Sequence, residues 1–140
     1  MSEPLYQHRI TTVEALPEVL DGLETTGLNA GWDPAFQMQL ALVIEELMVN
    51  ALVHGGQASG QGWSQVSLYA LPDGVQVIVD DNGQAFNPFS LDAPDTELDL
   101  DSRAIGGLGV HLVRQMTESQ GYERTAAINR VTLFKSYSMA

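Results

Sequence analysis

The sequence predicts an α+β fold of two layers, in which helices cover one face of a mostly antiparallel mixed sheet. The candidate elements follow the order strand, helix, helix, two strands, long loop, helix, two strands. Strands that follow each other across a short turn pair as hairpins, and helices then bury their apolar faces against one side of the sheet. The 140 residues, of which 44% are hydrophobic, suit a single domain spanning residues 1–140.

Two helices are predicted in the N-terminal half, after a short strand formed by "LYQHRI". Thr12 is expected to cap the first helix, which ends near Gly27. The second begins at Asp33-Pro34, a capping carboxylate followed by proline at the first helical position, and a pair of glycines ends it. Apolar residues keep the helical period in both helices: Leu16, Val19, Leu20 and Leu23 in the first, and Phe36, Leu40, Ile44, Leu47 and Ala51 in the second.

Two hairpins, a long loop and a third helix are predicted in the C-terminal half. "WSQVSLYAL", the turn "PDG" and "VQVIVD" form the first hairpin, because apolar residues alternate on its first strand and a turn separates the two. Residues 82–105 are rich in Pro, Asp and Asn without a period, which predicts a long loop. "GGLGVHLVRQMTE" predicts a helix that opens with glycines, and the second hairpin is expected to turn around Ala127–Asn129.

The charge balance and composition exclude several functions. The net charge is −12, from 18 acidic and six basic residues, and Lys135 is the single lysine. Nucleic-acid binding needs clustered Lys and Arg, so no direct nucleic-acid partner is expected. The chain has no cysteine for a disulfide or thiolate site, and no Gly-Lys pair for a P-loop. Without a membrane-spanning apolar run or a signal-peptide start, a cytoplasmic protein without membrane contact is expected.

Polar side chains recur along one side of the second helix, in the segment "EELMVNALVHGG". Glu46, Asn50 and His54 stand at four-residue steps and therefore share a side that borders the apolar stripe. One such residue is typical of a polar edge that reaches water. Three in register favour a site, because buried polar groups need partners.

Two further segments carry candidate ligand-binding residues. In "VIVDDNGQAFNP" a buried strand ends at Asp81, whose carboxylate can accept a hydrogen bond from a ligand amine, while Gly83 lets the backbone approach a flat ring. Alone, Asp-Asn-Gly is also common turn chemistry. In "IGGLGVHLV" the glycines at 106, 107 and 109 precede a helix, whose free N–H groups and dipole favour an anion.

Together, and in this order, the three segments resemble the GHKL ATPase superfamily over nearly the whole chain. They look like its N-box, its first glycine box and its second glycine box. The branch of stand-alone anti-sigma factor serine kinases is the most similar. Its N-box pattern, Glu-x-x-x-Asn-Ala-x-x-His-Gly, is matched by Glu46, Asn50, Ala51, His54 and Gly55.

The resemblance implies roles for the N-box residues. Asn50 would coordinate Mg²⁺ that bridges the phosphates, since an amide oxygen suits a hard cation. Glu46 would be the general base that takes the proton from an attacking serine hydroxyl. Glu45 lies about 100° around the helix and is expected as a surface charge. His54 matches the motif without an assigned chemical role and would cap the helix end.

The glycine boxes would hold the rest of the nucleotide. Asp81 would accept from the adenine amino group and Gly83 would make room for the ring, with Ala85 standing where the family often has glycine. Backbone N–H groups of the second box would bind the phosphates. That box comprises Gly106, Gly107, Leu108 and Gly109.

The resemblance also places an ATP lid at residues 84–105. Five carboxylates between residues 91 and 102 would repel a triphosphate, so the segment is expected as a solvated, mobile lid. Arg103, just before the second glycine box, would reach a phosphate when the lid closes or pair with a neighbouring carboxylate. Ordering of the lid is expected to increase from the free protein to ADP and then to ATP.

The function implied is that of an ATP-dependent protein serine/threonine kinase and anti-sigma regulatory factor in a partner-switching circuit. It would use ATP and Mg²⁺ to phosphorylate a small antagonist protein, and bind a sigma factor or another regulator in a second state. A homodimer is the expected assembly by family precedent. The alternative is a non-catalytic ATP-binding interaction module whose nucleotide state selects protein partners. The presence of Glu46 favours the kinase.

Overall fold

The structure, a computed structural model, describes residues 3–54, 61–90 and 107–137. Its strands are β1 Tyr6–Ile10, β2 Ser64–Leu71, β3 Gly74–Asp81, β4 Ser119–Thr125 and β5 Ile128–Ser136. Its α-helices are α1 Leu16–Ala30, α2 Pro34–His54 and α3 Gly107–Met116, and single 3₁₀ turns cover Val13–Ala15 and Pro88–Ser90.

The strands form one sheet in the order β1-β2-β3-β5-β4, with helices in a second layer. The predicted fold class is therefore confirmed. The sheet was expected to be mixed, but every pairing between the strands in the described ranges is antiparallel. The β2–β3 and β4–β5 pairs are consecutive strands joined by short turns. In the β1–β2 pair the connection contains α1 and α2, and in the β3–β5 pair it contains α3 and β4.

The core lies between the helices and the face of the sheet to which alternate strand residues point. On β3 these are Val75, Val77 and Val79, and the register places Leu68 of β2 and Leu133 of β5 beside Val77. The helices contribute the other layer of this core: Leu16, Val19, Leu23, Phe36, Leu40, Val43, Ile44, Leu47, Met48 and Val113. Apolar residues that recur every second position in the strands therefore pack against apolar residues that recur every 3.6 positions in the helices.

The end of α1 differs from the prediction. The helix continues to Ala30 and ends at Gly31, which has a φ of 73° in the left-handed region. Gly27 lies inside the helix, where a Cβ atom would come within 1.8 Å of Gln37 Oε1. It is a glycine because α2 packs against it, so the predicted end near Gly27 was wrong. Thr12 precedes the 3₁₀ turn and makes no capping hydrogen bond with its side chain.

The start of α2 follows the prediction. Pro34 is the first helical residue, and Asp33 Oδ2 accepts a hydrogen bond from the N–H of Ala35 at 3.0 Å. Within the described residues α2 is the one helix long and apolar enough to cross a membrane by length and composition. Its inner side contributes Phe36, Leu40 and further residues to the core. A core helix and a membrane-spanning helix share this length and apolar composition, and the burial of the inner side of α2 is that of a core helix.

The two hairpins turn where short loops allow. Leu71 pairs with Gly74 across Pro72-Asp73, as the "PDG" turn predicts. The last hairpin turns at Ala126 and Ala127, which have φ angles of 53° and 65°. Two positive φ values in a two-residue loop are typical of a type I′ turn, which matches the twist of the flanking strands. The turn was predicted around Ala127–Asn129, but it lies at Ala126 and Ala127, and Asn129 belongs to β5.

Lys135 is almost fully buried and joins three elements. Its Nζ donates to Gln39 Oε1 of α2 and to the carbonyl oxygen of Met116 at the end of α3, each at 2.7 Å. It also lies 5.5 Å from the ring centre of Phe36. Burial lowers the pKa of Lys135, while the charge of Glu118 acts in the opposite direction. The single lysine thus helps to fix where α3 ends relative to α2.

Candidate functional site

A narrow cleft lies between α2 and the ends of β3 and β5. Asn50 of α2 and Asp81 of β3, predicted from separate motifs, both line it. Asn129 faces Asp81 directly across the β3–β5 pair. The remaining lining is mostly apolar and consists of Leu47, Ala51, Val79, Phe86, Pro88 and Val131. The fold therefore brings two of the predicted ligand-binding residues together.

Asp81 is oriented by hydrogen bonds to one of its two oxygens. Oδ1 accepts from the N–H of Gly83 at 2.8 Å and from Nδ2 of Asn129 at 2.9 Å. Burial raises the pKa of Asp81, and these two bonds together with the charge of Arg124 oppose that rise. Among the described residues both bonds end on Oδ1, so Oδ2 is the oxygen that can accept from a ligand amine.

Asn129 is a site residue that the sequence did not predict. It is buried, and its Nδ2 also donates to the carbonyl oxygen of Gln84 at 2.7 Å. Its Oδ1 accepts from Arg124 Nη1 at 3.0 Å and from the hydroxyl of Tyr122. Asn129 therefore connects β5, β4 and the segment after Asp81. The signal that could have found it is its register opposite Asp81, which depends on the position of the hairpin turn.

The side chain of Asn50 lies in the wall of the same cleft. Asn50 is 6% exposed and lines the cleft together with Asp81. In the described ranges the enclosed side-chain atoms without a hydrogen-bond partner are Trp32 Nε1 and Gln37 Oε1, so the Asn50 amide is not a buried orphan. A ligand in the cleft would reach this amide.

Glu46 faces a different space, although it stands one helical turn from Asn50. It lines a groove of about 310 Å³ between α2 and α3, together with Gly109 of α3. A Cβ atom at Gly109 would come within 2.0 Å of Glu46 Oε1, so the carboxylate packs directly against the backbone of the first turn of α3. Glu45, expected as a surface charge, is half-buried and lines the same groove.

The other predicted site residues have these positions. Gly83 is buried, and its carbonyl oxygen accepts from Arg124 Nη1 at 3.1 Å, whereas Ala85 is exposed. Gly107 begins α3, Leu108 follows in its first turn, and His54 ends α2. The predictions for Arg103, for Gly106 and for residues 91–105 of the lid lie outside the described residues.

The first part of the predicted lid, residues 84–90, is packed against the protein. Pro88 is buried in a 3₁₀ turn, and Asn87 Oδ1 accepts from the N–H of Phe89 at 2.9 Å. Arg114 of α3 donates to the carbonyl oxygen of Phe89, and its guanidinium carbon lies 5.8 Å from the ring centre of Phe89. The segment therefore forms one wall of the cleft.

The part of the cleft that the described residues enclose is smaller than a nucleotide base. Its volume is about 20 Å³, which is roughly the space of one water molecule, whereas ligand pockets measure about 300–1,000 Å³. Phe86 lines the cleft and is itself an exposed large apolar side chain. Since exposed side chains move with little loss of packing, displacement of Phe86 and its segment is the direct way to widen the cleft.

The donors and acceptors of the cleft fit a flat base with an amino group. Apolar walls suit the faces of a ring, and the single carboxylate at one end suits its amine. Asn50 contributes an amide from α2 to the same cleft. Among residues 3–54, 61–90 and 107–137, no three His, Asp or Glu side chains lie together as a metal site. A metal here would therefore need most of its ligands from phosphates and water.

An antiparallel sheet covered by helices, with Asp81 and Asn50 in a cleft between the layers, is a two-layer α+β domain with a candidate ligand site. The chain belongs to the family of histidine kinase-like ATPase domains, whose family model matches residues 11–135. This family implies ATP or ADP binding and a kinase-like or ATPase role for the chain.

Known proteins similar to this chain agree with that assignment. The serine/threonine-protein kinase BtrW of Bordetella bronchiseptica is 25% identical over 122 residues, which are 87% of this chain and 86% of BtrW. In a solved structure of a blue-light activated histidine kinase from Erythrobacter litoralis, the chain matches with a TM-score of 0.56 at 17% identity. The match covers 76% of this chain and 32% of the kinase.

A solved histidine kinase domain of the same Erythrobacter litoralis protein gives a TM-score of 0.55 at 16% identity and covers 96% of this chain. The chain spans about a third of the first of these two structures and 62% of the second. At these identities the two structures support the fold.

Proposed function

We propose that the protein is an ATP-dependent serine/threonine protein kinase and an anti-sigma regulatory factor in a partner-switching circuit. One observation carries the proposal. Asn50 and Glu46 stand one helical turn apart on α2, and Asn50 lines the nucleotide cleft while Glu46 lines the groove between α2 and α3. A carboxylate that borders the nucleotide without occupying its cleft is positioned to serve a second substrate.

Each residue has a role in phosphoryl transfer. Asp81 accepts a hydrogen bond from the adenine amine through Oδ2, and Asn129 holds the carboxylate in position through Oδ1. Asn50 would hold Mg²⁺, which neutralises charge on the phosphates when bound. Glu46 accepts the proton of a serine or threonine hydroxyl of the protein substrate. The hydroxyl oxygen bonds to the terminal phosphorus of ATP as the bond from that phosphorus to ADP breaks and ADP leaves.

The protein substrate of the proposal is a small antagonist protein that carries the acceptor serine. In its second state this chain binds a sigma factor or another regulator instead of the antagonist protein. The working assembly is a homodimer. The similarity to BtrW, a serine/threonine-protein kinase, supports a hydroxyl acceptor over a histidine. The competing proposal is a non-catalytic ATP-binding module whose nucleotide state selects its partners.

Glu46→Gln separates these two proposals. The variant is expected to keep the ATP affinity of the wild type, because Glu46 does not line the nucleotide cleft. Transfer of phosphate from labelled ATP to a serine-containing antagonist protein is expected to slow by about 10²–10⁴, the usual effect of removing a general base. The exposed Glu24 of α1 provides the matched control, Glu24→Gln, which should leave both quantities unchanged.

Two results would contradict the kinase proposal. Wild-type transfer rates in Glu46→Gln would show that Glu46 is not the base. Normal ATP binding without phosphate transfer to any serine-containing antagonist, or to water, would support the non-catalytic module.

A further inference from the structure

The helix α2 has a second apolar side that faces away from the core. Met38, Leu42 and Val53 are 60%, 47% and 53% exposed, and the half-buried Val49 stands between them at helical spacing. Helices on a protein surface usually carry one apolar stripe and a polar opposite face. Val49 packs against the core from this side, whereas Met38, Leu42 and Val53 remain largely exposed.

Leu42 and Val49 of this second side line the α2–α3 groove of about 310 Å³ described above. Leu112 of α3 is 48% exposed at its edge, and Val113 and Met116 complete the α3 wall. Among the described residues, the charged side chains that line the groove are Glu45 and Glu46, and none of the lining residues there is basic. The groove is thus apolar along its walls and negative at the point where Glu46 meets the first turn of α3.

Neither carboxylate is neutralised within the described part of the chain. The ion pairs found there join His8 to Glu18 and Arg130 to Asp80, both away from the groove. Glu46 packs against Gly109, while Glu45 reaches the same groove from the adjacent position on α2. Two uncompensated, half-buried carboxylates favour a positively charged occupant.

We infer that the α2–α3 groove binds the acceptor segment of the protein substrate, with apolar side chains against Leu42 and Leu112 and a lysine or arginine beside Glu45. The inference rests on the proposed function, because Glu46 as the base is what requires the acceptor hydroxyl to enter this groove. It adds the chemistry of the substrate: an apolar stretch with a basic residue next to the serine or threonine.

Charge argues against the other occupants of an exposed apolar groove. A second copy of this chain carries a net charge of −12 and would bring further acidic surface to Glu45 and Glu46. Anionic lipid headgroups would be repelled by the same two carboxylates. A basic and apolar peptide segment satisfies both properties of the groove.

Four fluorescent 12-residue peptides test the inference. Each contains one serine, with either leucine or asparagine at the flanking apolar positions and either lysine or glutamate beside the serine. Fluorescence anisotropy is recorded without nucleotide. The leucine–lysine peptide is expected to bind at least about tenfold more tightly than the leucine–glutamate and asparagine–lysine peptides, since each of these lacks one of the two matched interactions.

Matched variants assign the preference to this groove. Leu112→Ser is expected to weaken the leucine–lysine peptide about fivefold or more, and Leu28→Ser, at an exposed leucine of α1, to leave it unchanged. Glu45→Lys is expected to reverse the preference between lysine and glutamate peptides, whereas Glu24→Lys should not.

Several outcomes would overturn the inference. These are equal binding of all four peptides, no detectable binding, or a preference that survives both Leu112→Ser and Glu45→Lys. Dimerisation or binding to anionic vesicles that Leu112→Ser abolishes would assign the groove to those occupants instead. Because the measurement needs no ATP, its failure leaves the phosphate-transfer test of the proposed function standing. Absence of phosphate transfer with an intact peptide preference would overturn only the kinase.

Discussion

Replacing Asp81 by asparagine should weaken nucleotide binding without weakening the fold. Burial raises the pKa of Asp81, so the ionised carboxylate destabilises the folded state at neutral pH. Asparagine removes the charge and keeps an oxygen that can accept from the N–H of Gly83 and from Asn129. The free energy of unfolding of Asp81→Asn at pH 7 is therefore expected to equal or exceed that of the wild type.

The same substitution replaces the charged acceptor proposed for the adenine amine by a neutral amide. A hydrogen bond to a charged acceptor contributes about 1.5–3 kcal/mol, so ATP affinity measured by calorimetry is expected to fall about 10- to 100-fold. Asp21→Asn, at an exposed position of α1, should change neither ATP affinity nor stability. Unchanged ATP affinity in Asp81→Asn would refute the adenine contact. A clear loss of stability at pH 7 would refute the argument from burial.

The pH dependence of stability gives an independent check on Asp81. Its folded pKa lies above the unfolded value of 3.8, so between these two values the folded state binds more protons than the unfolded state. The destabilisation is fully present above the folded pKa and disappears as the pH falls through this window. Urea denaturation should therefore show the stability difference between Asp81→Asn and the wild type shrinking as the pH is lowered towards 4.

Three further substitutions test other parts of the structure. Ala127→Gly should stabilise the protein by about 0.5–1 kcal/mol in urea denaturation, because its φ of 65° is unfavourable for alanine; no change would argue against the type I′ turn. Gly109→Ala should displace Glu46 and slow phosphate transfer at least about tenfold, whereas Gly121→Ala, whose Cβ would meet nothing closer than 3.9 Å, is the control. Burial lowers the pKa of Lys135, so between its folded value and 10.5 the unfolded state binds more protons and stability rises with pH. Lys135→Met should lose this rise at alkaline pH below 10.5, and equal slopes for both proteins would contradict it.

Local sequence signals predicted the elements that depend on local chemistry. Asp33-Pro34 supplies both the capping oxygen and the fixed φ that begin α2, and the "PDG" turn needs only its own residues. The meeting of Asn50 and Asp81 in one cleft followed from the order of the motifs and the family resemblance. The helix start and the turn need no knowledge of how distant segments pack, whereas the meeting of Asn50 and Asp81 was implied by the family resemblance.

Features that depend on distant packing could not be predicted in the same way. The Ala126-Ala127 turn lacks the Asn-Gly signal of its type, so the register that places Asn129 opposite Asp81 was not visible. Four-residue spacing put Glu46 and Asn50 on one side of α2. The two side chains face different spaces because α3 packs beside Glu46. The periodicity of α2 alone does not predict where α3 lies.

The narrow cleft makes nucleotide affinity depend on an equilibrium as well as on contacts. If only a fraction of molecules has Phe86 displaced, the apparent Kd equals the intrinsic Kd divided by that fraction, so a population of about one in ten weakens binding about tenfold. Substitutions in residues 84–90 that never touch ATP would then change affinity by shifting this population. A protein bound to the same segment would control nucleotide occupancy from outside, without a single contact to the ligand.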